Sequence, residues 1–380
     1  MRLALVGVGG AGGRIVDRLR AREQATGRHV SLGNAIVFDT AAPAGDFTTL
    51  AENQHVRVGD AHPAVGPKGV DGSLELALSV TEEELPEIRR SLDTLDLHEL
   101  EGILLIAGFG GATGAGMGSV LVDELQALFD LPVYAVGVLP SPEDGDTAAV
   151  NASRALRTVV PTADNVILLD NEAWRRTDEG EPMPYQQVNE ALAIRIVSLL
   201  GTGERPNAKI PENAIDSSDI RRTFETGGIS SVGYATLDID HPTGLLQRWL
   251  RSLFGSGSDG DPVDPTRIKR LVGEAVDSNL TLPCNIQSAE RSLVVLSGPS
   301  SRLSRRGFEL SRHWLEKETD TVELLAGDEP HEETSELTVS VLLSNVSDVQ
   351  PIDELHARAA VADSDQSGDW TITPAADDGS

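Results

Sequence analysis

The chain has 380 residues, 39% of them hydrophobic, and a formal net charge of −29; this length exceeds one compact core and suits two domains. The acid excess lacks the basic footprint of a nucleic-acid binder, so nucleic acid is not an expected partner, and it opposes long-range attraction to anionic membranes. Four lysines (Lys68, Lys209, Lys269, Lys317) stand among 31 basic residues. That composition suits a salt-filled cytoplasm, where a Debye length of ~3 Å at molar salt screens self-repulsion; an ordinary acidic mesophile protein is the alternative.

A single cysteine, Cys284, excludes an internal disulfide framework and fits a reducing compartment. The first ten residues turn glycine-rich too soon for a signal peptide. No run approaches the ~20 apolar residues of a membrane span. The eight histidines show no metal-ligand spacing. A cytoplasmic protein without a dedicated metal site is the expectation.

In chain order, short apolar runs at Leu3–Val8, Ala35–Phe38, Ile103–Ala107, Val133–Leu139 and Val166–Leu169 read as buried strands. Between them Arg14–Arg22, Glu82–Leu95, Gly118–Phe129 and Thr147–Val159 read as helices. Such alternation predicts a parallel, doubly wound α/β sheet covered on both faces. A long helix, Tyr185–Leu200, follows as a spine. Beyond it the pattern changes. A strand at Val232–Leu237 precedes a Gly/Ser/Asp/Pro-rich break at His241–Asp264. Then come a helix (Asp264–Asp277), strands at Leu280–Ile286 and Ser292–Leu296, a helix (Ser304–Glu318) and a last strand pair (Thr321–Leu325, Leu337–Leu343), a smaller α+β domain. Asp363–Ser380, acidic and small-residue rich, reads as a disordered tail.

Gly7-Val-Gly9-Gly10-Ala11-Gly12-Gly13-Arg14 sits between the first strand and its helix. Glycine lets backbone approach phosphate closely, and a helix start supplies free N–H groups and partial positive charge. The same residues contain a Gly-x-Gly-x-x-Gly fingerprint, and Asp39 closes the second strand, so a dinucleotide-binding enzyme is a rival reading. A second glycine-rich turn, Gly108-Phe-Gly110-Gly111-Ala112-Thr113-Gly114-Ala115-Gly116-Met117-Gly118, follows another strand. Two adjacent cradles suit a chain of phosphates, and Thr113 adds a hydroxyl. No Gly-Lys-Ser/Thr follows, so this is not a Walker A loop.

Gly110–Gly118 resembles the signature of the tubulin/FtsZ superfamily, with Ala112 and Ala115 as departures. Ala112 puts a Cβ where the family has glycine, which would crowd phosphate or disturb a positive-φ position. Further motifs follow in family order. Leu139–Thr147 resembles the ribose-binding loop, with Asp144 flanked by Glu143 and Asp146. Leu168–Ala173 resembles the strand end whose Asn, here Asn171, binds guanine. Tyr185 and Asn189 lie on one helical face, and the resemblance assigns them to base stacking and base-edge recognition. Ala214–Ile220 resembles the synergy loop, whose acids, here Asp216 and Asp219, reach a neighbouring subunit's nucleotide. Locally the same pair reads as a helix N-cap with an acidic first turn. The family's Asn is absent, since Ala214 stands two places before the first acid.

The C-terminal half resembles the CetZ branch, through Asp216–Asp219, Val232–Ala235, Leu280–Cys284, Ala289–Arg291 and Leu293–Pro299, and Asp170–Arg175 fits that branch too. The resemblance implies a GTP/GDP-binding, parallel-sheet Rossmann-type domain over 1–182. A central helix and synergy loop occupy 183–226, an α+β domain 227–350, and a C-terminal region ending in the acidic tail 351–380. It implies a slow GTPase completed by head-to-tail self-assembly, Mg²⁺ carried by the nucleotide, and a role in cell shape. A nucleotide-regulated scaffold with little hydrolysis, following from Ala112, is the alternative. The apolar stretch at 245–254 reads either as folding back on its own domain or as a membrane-surface or lateral contact.

Overall fold

A computed structural model describes residues 1–42, 47–176, 181–204, 215–239 and 262–368. The apolar stretch at 245–254, Ala214 and most of the acidic tail lie outside the described residues.

The amino-terminal half is the expected doubly wound sheet. Strands β1 (Leu3–Val8), β2 (Ala35–Asp39), β3 (His55–Arg57), β4 (Gly102–Gly108), β5 (Val133–Leu139) and β6 (Asn165–Asp170) pair in parallel in the order β3-β2-β1-β4-β5-β6. Their side chains alternate between two cores, as a two-residue period requires. Ala4, Val6, Leu105 and Ala107 face one core with Leu121, Leu125, Ala152 and Leu156 from α4 (Ala112–Leu128) and α5 (Asp146–Thr162). Leu3, Leu5, Leu104 and Ile106 face the other with Ile15 and Leu19 from α1 (Gly9–Thr26) and Val188, Leu192 and Ile196 from α7 (Tyr185–Leu200).

Three features differ from the expected elements in this half. Helices α1 and α4 begin at Gly9 and Ala112, not at Arg14 and Gly118, so each glycine-rich turn is itself a first helical turn. Tight packing outweighs glycine's poor helix propensity there. The helix expected at Glu82–Leu95 is two helices, α2 (Leu74–Glu83) and α3 (Leu85–Leu92). They break at Glu84, with Pro86 in the first turn of α3.

The two halves share one sheet. Strand β7 (Ile229–Asp238) pairs in parallel with β6 through Val166 and Ile167, and antiparallel with β10 (Glu336–Ser344). Strands β8 (Arg291–Gly298) and β9 (Glu323–Pro330) complete ten strands. Helices α9 (Pro265–Asp277) and α10 (Arg305–Thr319) contribute Ile268, Leu271 and Leu315 to the core on this side. The short helices α6 (Asn171–Arg175) and α8 (Ser217–Phe224) flank α7 in sequence.

The strand expected at Leu280–Ile286 is absent: one bridge joins Leu280 to Gly233, and a 3-10 turn spans Ile286–Ser288. Side chains replace the ladder there. Ser231 Oγ donates to Leu282 O at 2.9 Å and accepts from its N–H at 3.1 Å, and Pro283 has no N–H to give. The chain ends its described part in α11 (Gln350–Gly368), which enters residues expected to be tail. Leu355, Ala359 and Ala362 join the core that holds α5, and Ser153 Oγ lies 2.8 Å from His356 Nδ1.

Candidate nucleotide-binding site

The carboxyl ends of the parallel strands open onto a cavity of about 440 Å³, where open α/β sheets place ligands. Its wall follows sheet order. The loop before α2 supplies Lys68, Val70, Asp71 and Gly72. The turn after β1 supplies Gly9, Gly10, Ala11 and Arg14, and the turn after β4 supplies Gly110, Gly111, Ala112, Thr113 and Gly114. Asp144 follows β5, Asn171 follows β6, and Tyr185 and Asn189 come from α7.

Both glycine-rich turns present uncapped helix starts. Val8 and Gly111, the residues before α1 and α4, make no side-chain cap bond. The first N–H groups of each helix are therefore without side-chain caps beside the cavity, and two converging helix dipoles favour an anion. Arg14 and Lys68 add cationic side chains to this wall in a chain of net charge −29.

Ala112 neither strains the turn nor occupies a positive-φ position. It is the first residue of α4, and it shares a buried cluster with Val70 and Ala77. Its side chain thus helps to seat the Lys68 loop.

Asn171 carries the clearest mark of a missing partner. It is buried, lines the cavity, and its Oδ1 has no hydrogen bond. Buried polar atoms are rarely left so, and an amide facing a cavity is suited to the edge of a base. Asp170 fixes the turn by accepting the Glu172 N–H at 3.0 Å, and burial pushes its carboxyl up.

The rim is an ionic network. Asp144 Oδ1 accepts from Tyr185 Oη at 2.9 Å, and its Oδ2 accepts from Ser141 N–H at 2.8 Å. Arg175 stacks 4.2 Å from the Tyr185 ring centre and donates to Tyr185 Oη and to Glu143 at 3.0 Å each. Burial first, then the bond to Asp144, raises the Tyr185 phenol above its ordinary value.

Several expected residues stand elsewhere. A Cβ on Gly12 would lie 2.2 Å from Ile106 O, and one on Gly13 would lie 3.0 Å from Val37, so both glycines serve helix–strand packing. Glu143 turns to Arg175, and Asp146 opens α5 as an exposed residue off the cavity wall. Asp39, the acid of the dinucleotide reading, is buried, absent from the wall, and accepts the Ala41 N–H at 3.1 Å. Lys68, Asp71, Gly72 and Arg175 receive no site role from the sequence alone. The available signal was Gly66-Pro-Lys68-Gly-Val-Asp-Gly72, glycine-rich and holding one of the few lysines.

Asp216 and Asp219 lie at the other end of the sheet. Asp216 caps α8, accepting from Ser218 N–H at 2.8 Å and Ser218 Oγ at 2.6 Å, while Asp219 Oδ2 accepts the Asp216 N–H at 3.2 Å. The Ser218 hydroxyl is the first cause holding the Asp216 carboxyl below its usual range. Ser217 Oγ donates to Glu101, which stands just before β4 and accepts the Arg2 N–H at 2.9 Å. The acids therefore sit at the amino ends of β1 and β4, a strand length of roughly 20 Å from the cradles.

Residues 2–178 match the description "Tubulin/FtsZ family, GTPase domain", and residues 179–361 match "Tubulin-like CetZ, C-terminal domain". The tubulin-like protein CetZ3 of Haloferax volcanii is 39% identical over 361 residues, covering 94% of this chain and 92% of that protein. Among solved structures, the GDP-bound monomer of CetZ1 from Haloferax volcanii aligns with a TM-score of 0.79 at 32% identity, covering 96% of this chain and all of that one. The GTPγS-bound protofilament of CetZ2 from the same organism aligns with a TM-score of 0.82 at 31% identity, covering 97% of this chain and all of that one.

Proposed function

The chain belongs to the tubulin/FtsZ family, in its CetZ group, and from that premise we propose that it is a GTP-dependent polymer subunit whose hydrolytic site is completed by a second copy. One observation carries this reading: the phosphate cradles and the acidic pair occupy opposite ends of the same strands. No single copy brings them together. Stacking copies head to tail would set Asp216 and Asp219 of one against the cavity of the next.

In that arrangement the uncapped starts of α1 and α4 bind the phosphates, with Arg14 and Lys68 facing them. Asn171 takes the base edge, Tyr185 and Asn189 flank the base, and Asp144 accepts ribose hydroxyls through lone pairs its present bonds leave free. Asp216, a carboxylate fixed in place by its cap bonds, polarises or positions the attacking water, with Asp219 beside it. Groups of three metal-ligating side chains are absent among the described residues. Mg²⁺ would come with the nucleotide; of the two described carboxylates on the cavity wall, Asp144 lies beyond β5 on the ribose side and Asp71 lies in the Lys68 loop on the phosphate side. The GDP- and GTPγS-bound relatives support guanine nucleotide as the ligand, and the CetZ2 protofilament supports self-assembly. The CetZ resemblance supports a role in cell shape, which a deletion strain with unaltered outline would refute.

The test is GTP turnover in high KCl. Turnover per subunit should rise with protein concentration, because two copies make each site. Asp216→Ala should lower it by about 10²-fold while leaving GTP binding intact. An unchanged rate per polymerised subunit would instead favour a nucleotide-regulated scaffold. The engagement of Asp216 in its own capping box is the observation on that side.

A further inference from the structure

Thr40 follows β2, is fully buried, and has a role in none of the assignments above. Its hydroxyl lies 2.8 Å from the Thr113 hydroxyl and accepts the Val70 N–H at 3.4 Å. It thus links the second phosphate cradle to the loop that carries Lys68. The loop is shaped around it. Gly69 and Gly72 have φ of +78° and +84°, and Asp71, a non-glycine residue, has +47°. A Cβ on Gly69 would stand 2.4 Å from Thr40 Oγ1. Arg57 adds a second tie, donating to Thr40 O at 3.5 Å and to Gly66 O at 3.2 Å.

A threonine hydroxyl has one proton. Either hydroxyl of this pair can donate; an acceptor bound in the cavity would take the Thr113 proton and leave Thr40, which already accepts the Val70 N–H, as the donor to Thr113 Oγ1. Thr113 itself lines the cavity. Sheet order says which part of a ligand would meet it. A nucleotide with its base at Asn171, beyond β6, and its ribose at Asp144, beyond β5, runs its phosphates past β4 and β1 toward β2. Four strand spacings of ~4.8 Å span roughly 19 Å, about the reach of a nucleoside triphosphate. Thr40 and the Lys68 loop stand at the far end of that track.

We propose that Thr40 is a positioning residue for triphosphate recognition: its hydroxyl aims that of Thr113 at the phosphate chain and binds the Lys68 loop to the same unit. Thr40 itself touches no ligand. The inference rests on reading the cavity as a nucleotide site, and the experiment separates the two.

Binding of fluorescent mant-GDP and mant-GTPγS is measured on the full chain in high KCl, at concentrations too low for assembly. Thr40→Val should weaken mant-GTPγS about tenfold, the worth of one hydrogen bond at ~1.4 kcal/mol, and change mant-GDP by less than about twofold. Thr40→Ser should restore both. Mant-GTPγS should slow tryptic cleavage after Lys68 in the parent chain and in Thr40→Ser but not in Thr40→Val. If Thr40→Val does not fold, Gly69→Ala, which displaces the loop and keeps both threonines, should show the same selective loss. Equal weakening of both nucleotides, or of neither, overturns the proposal. Binding of neither by the parent chain removes the nucleotide reading and this inference together.

Discussion

At the first glycine-rich turn, Gly9 adopts φ +69°, and Gly12 lies where a Cβ would meet Ile106 O at 2.2 Å. At the second, no glycine from Gly108 to Gly118 has a positive φ. Its glycines are demanded by closeness instead. A Cβ on Gly114 would stand 2.2 Å from Gly108 O, one on Gly110 would stand 2.7 Å from Pro140, and one on Gly116 would stand 2.8 Å from Ala77. Gly111 and Gly118 differ from these, with nearest neighbours at 3.7 and 3.4 Å. Two turns with matching composition thus share one requirement, a helix laid against the backbone of a strand end, and differ in the other. Only the first needs a left-handed residue to turn the chain. This is why an alanine in the second turn, at Ala112, is accommodated in its first helical turn, whereas Gly9 has no such freedom.

The contrast can be broken or sharpened by substitution, read as unfolding free energy in denaturant and as nucleotide affinity. Gly114→Ala should have the largest effect, about 3 kcal/mol with loss of nucleotide binding, because a carbonyl oxygen blocks the added carbon. Gly12→Ala should behave alike; if either were silent, the close-packing account would fail. Gly9→Ala should cost ~1–2 kcal/mol, the strain of a left-handed L-residue, with space itself available at 3.4 Å. Ala112→Gly, which restores the family residue, should lower stability by ~0.5–1 kcal/mol and leave affinity nearly unchanged. A marked gain in affinity would mean that the Ala112 methyl obstructs the phosphates after all. Gly111→Ala should be smallest, within ~0.5 kcal/mol, and a large effect there would show a backbone demand that its ordinary φ of −80° does not suggest.

Much of the fold was legible because its signal is local. The runs at Leu3–Val8 and Val133–Leu139 are apolar throughout, as strands buried on both faces must be, and both became strands over those same residues. Leu280–Ile286 failed as a strand: Pro283 breaks its ladder from within, and its partners are the Ser231 hydroxyl and a Val232 carbonyl and amide, which no pattern within the segment announces. The described part of α11 was missed for a related reason: its apolar residues Leu355, Ala359 and Ala362 are few and small, and only the presence of α5 makes them a core face. At the site, the turns after β1 and β4 stood out by composition. Thr40 did not, since it reaches the cavity only through Thr113, 73 residues away, and the Lys68 loop, though glycine-rich, meets the cavity only because the fold sets it beside the turn after β4.

What the residues determined by themselves was the alternation of strand and helix, the two cradles, and the capping box at Asp216, because these depend on neighbours within a few positions. What only the tertiary structure decided was the geometry between them. Parallel strands send every carboxyl end to one side, so residues from Lys68 to Asn189 converge on one cavity while Asp216 and Asp219 are carried to the opposite end. That separation is a property of strand direction and sheet order, long-range quantities that exist only once the sheet has closed.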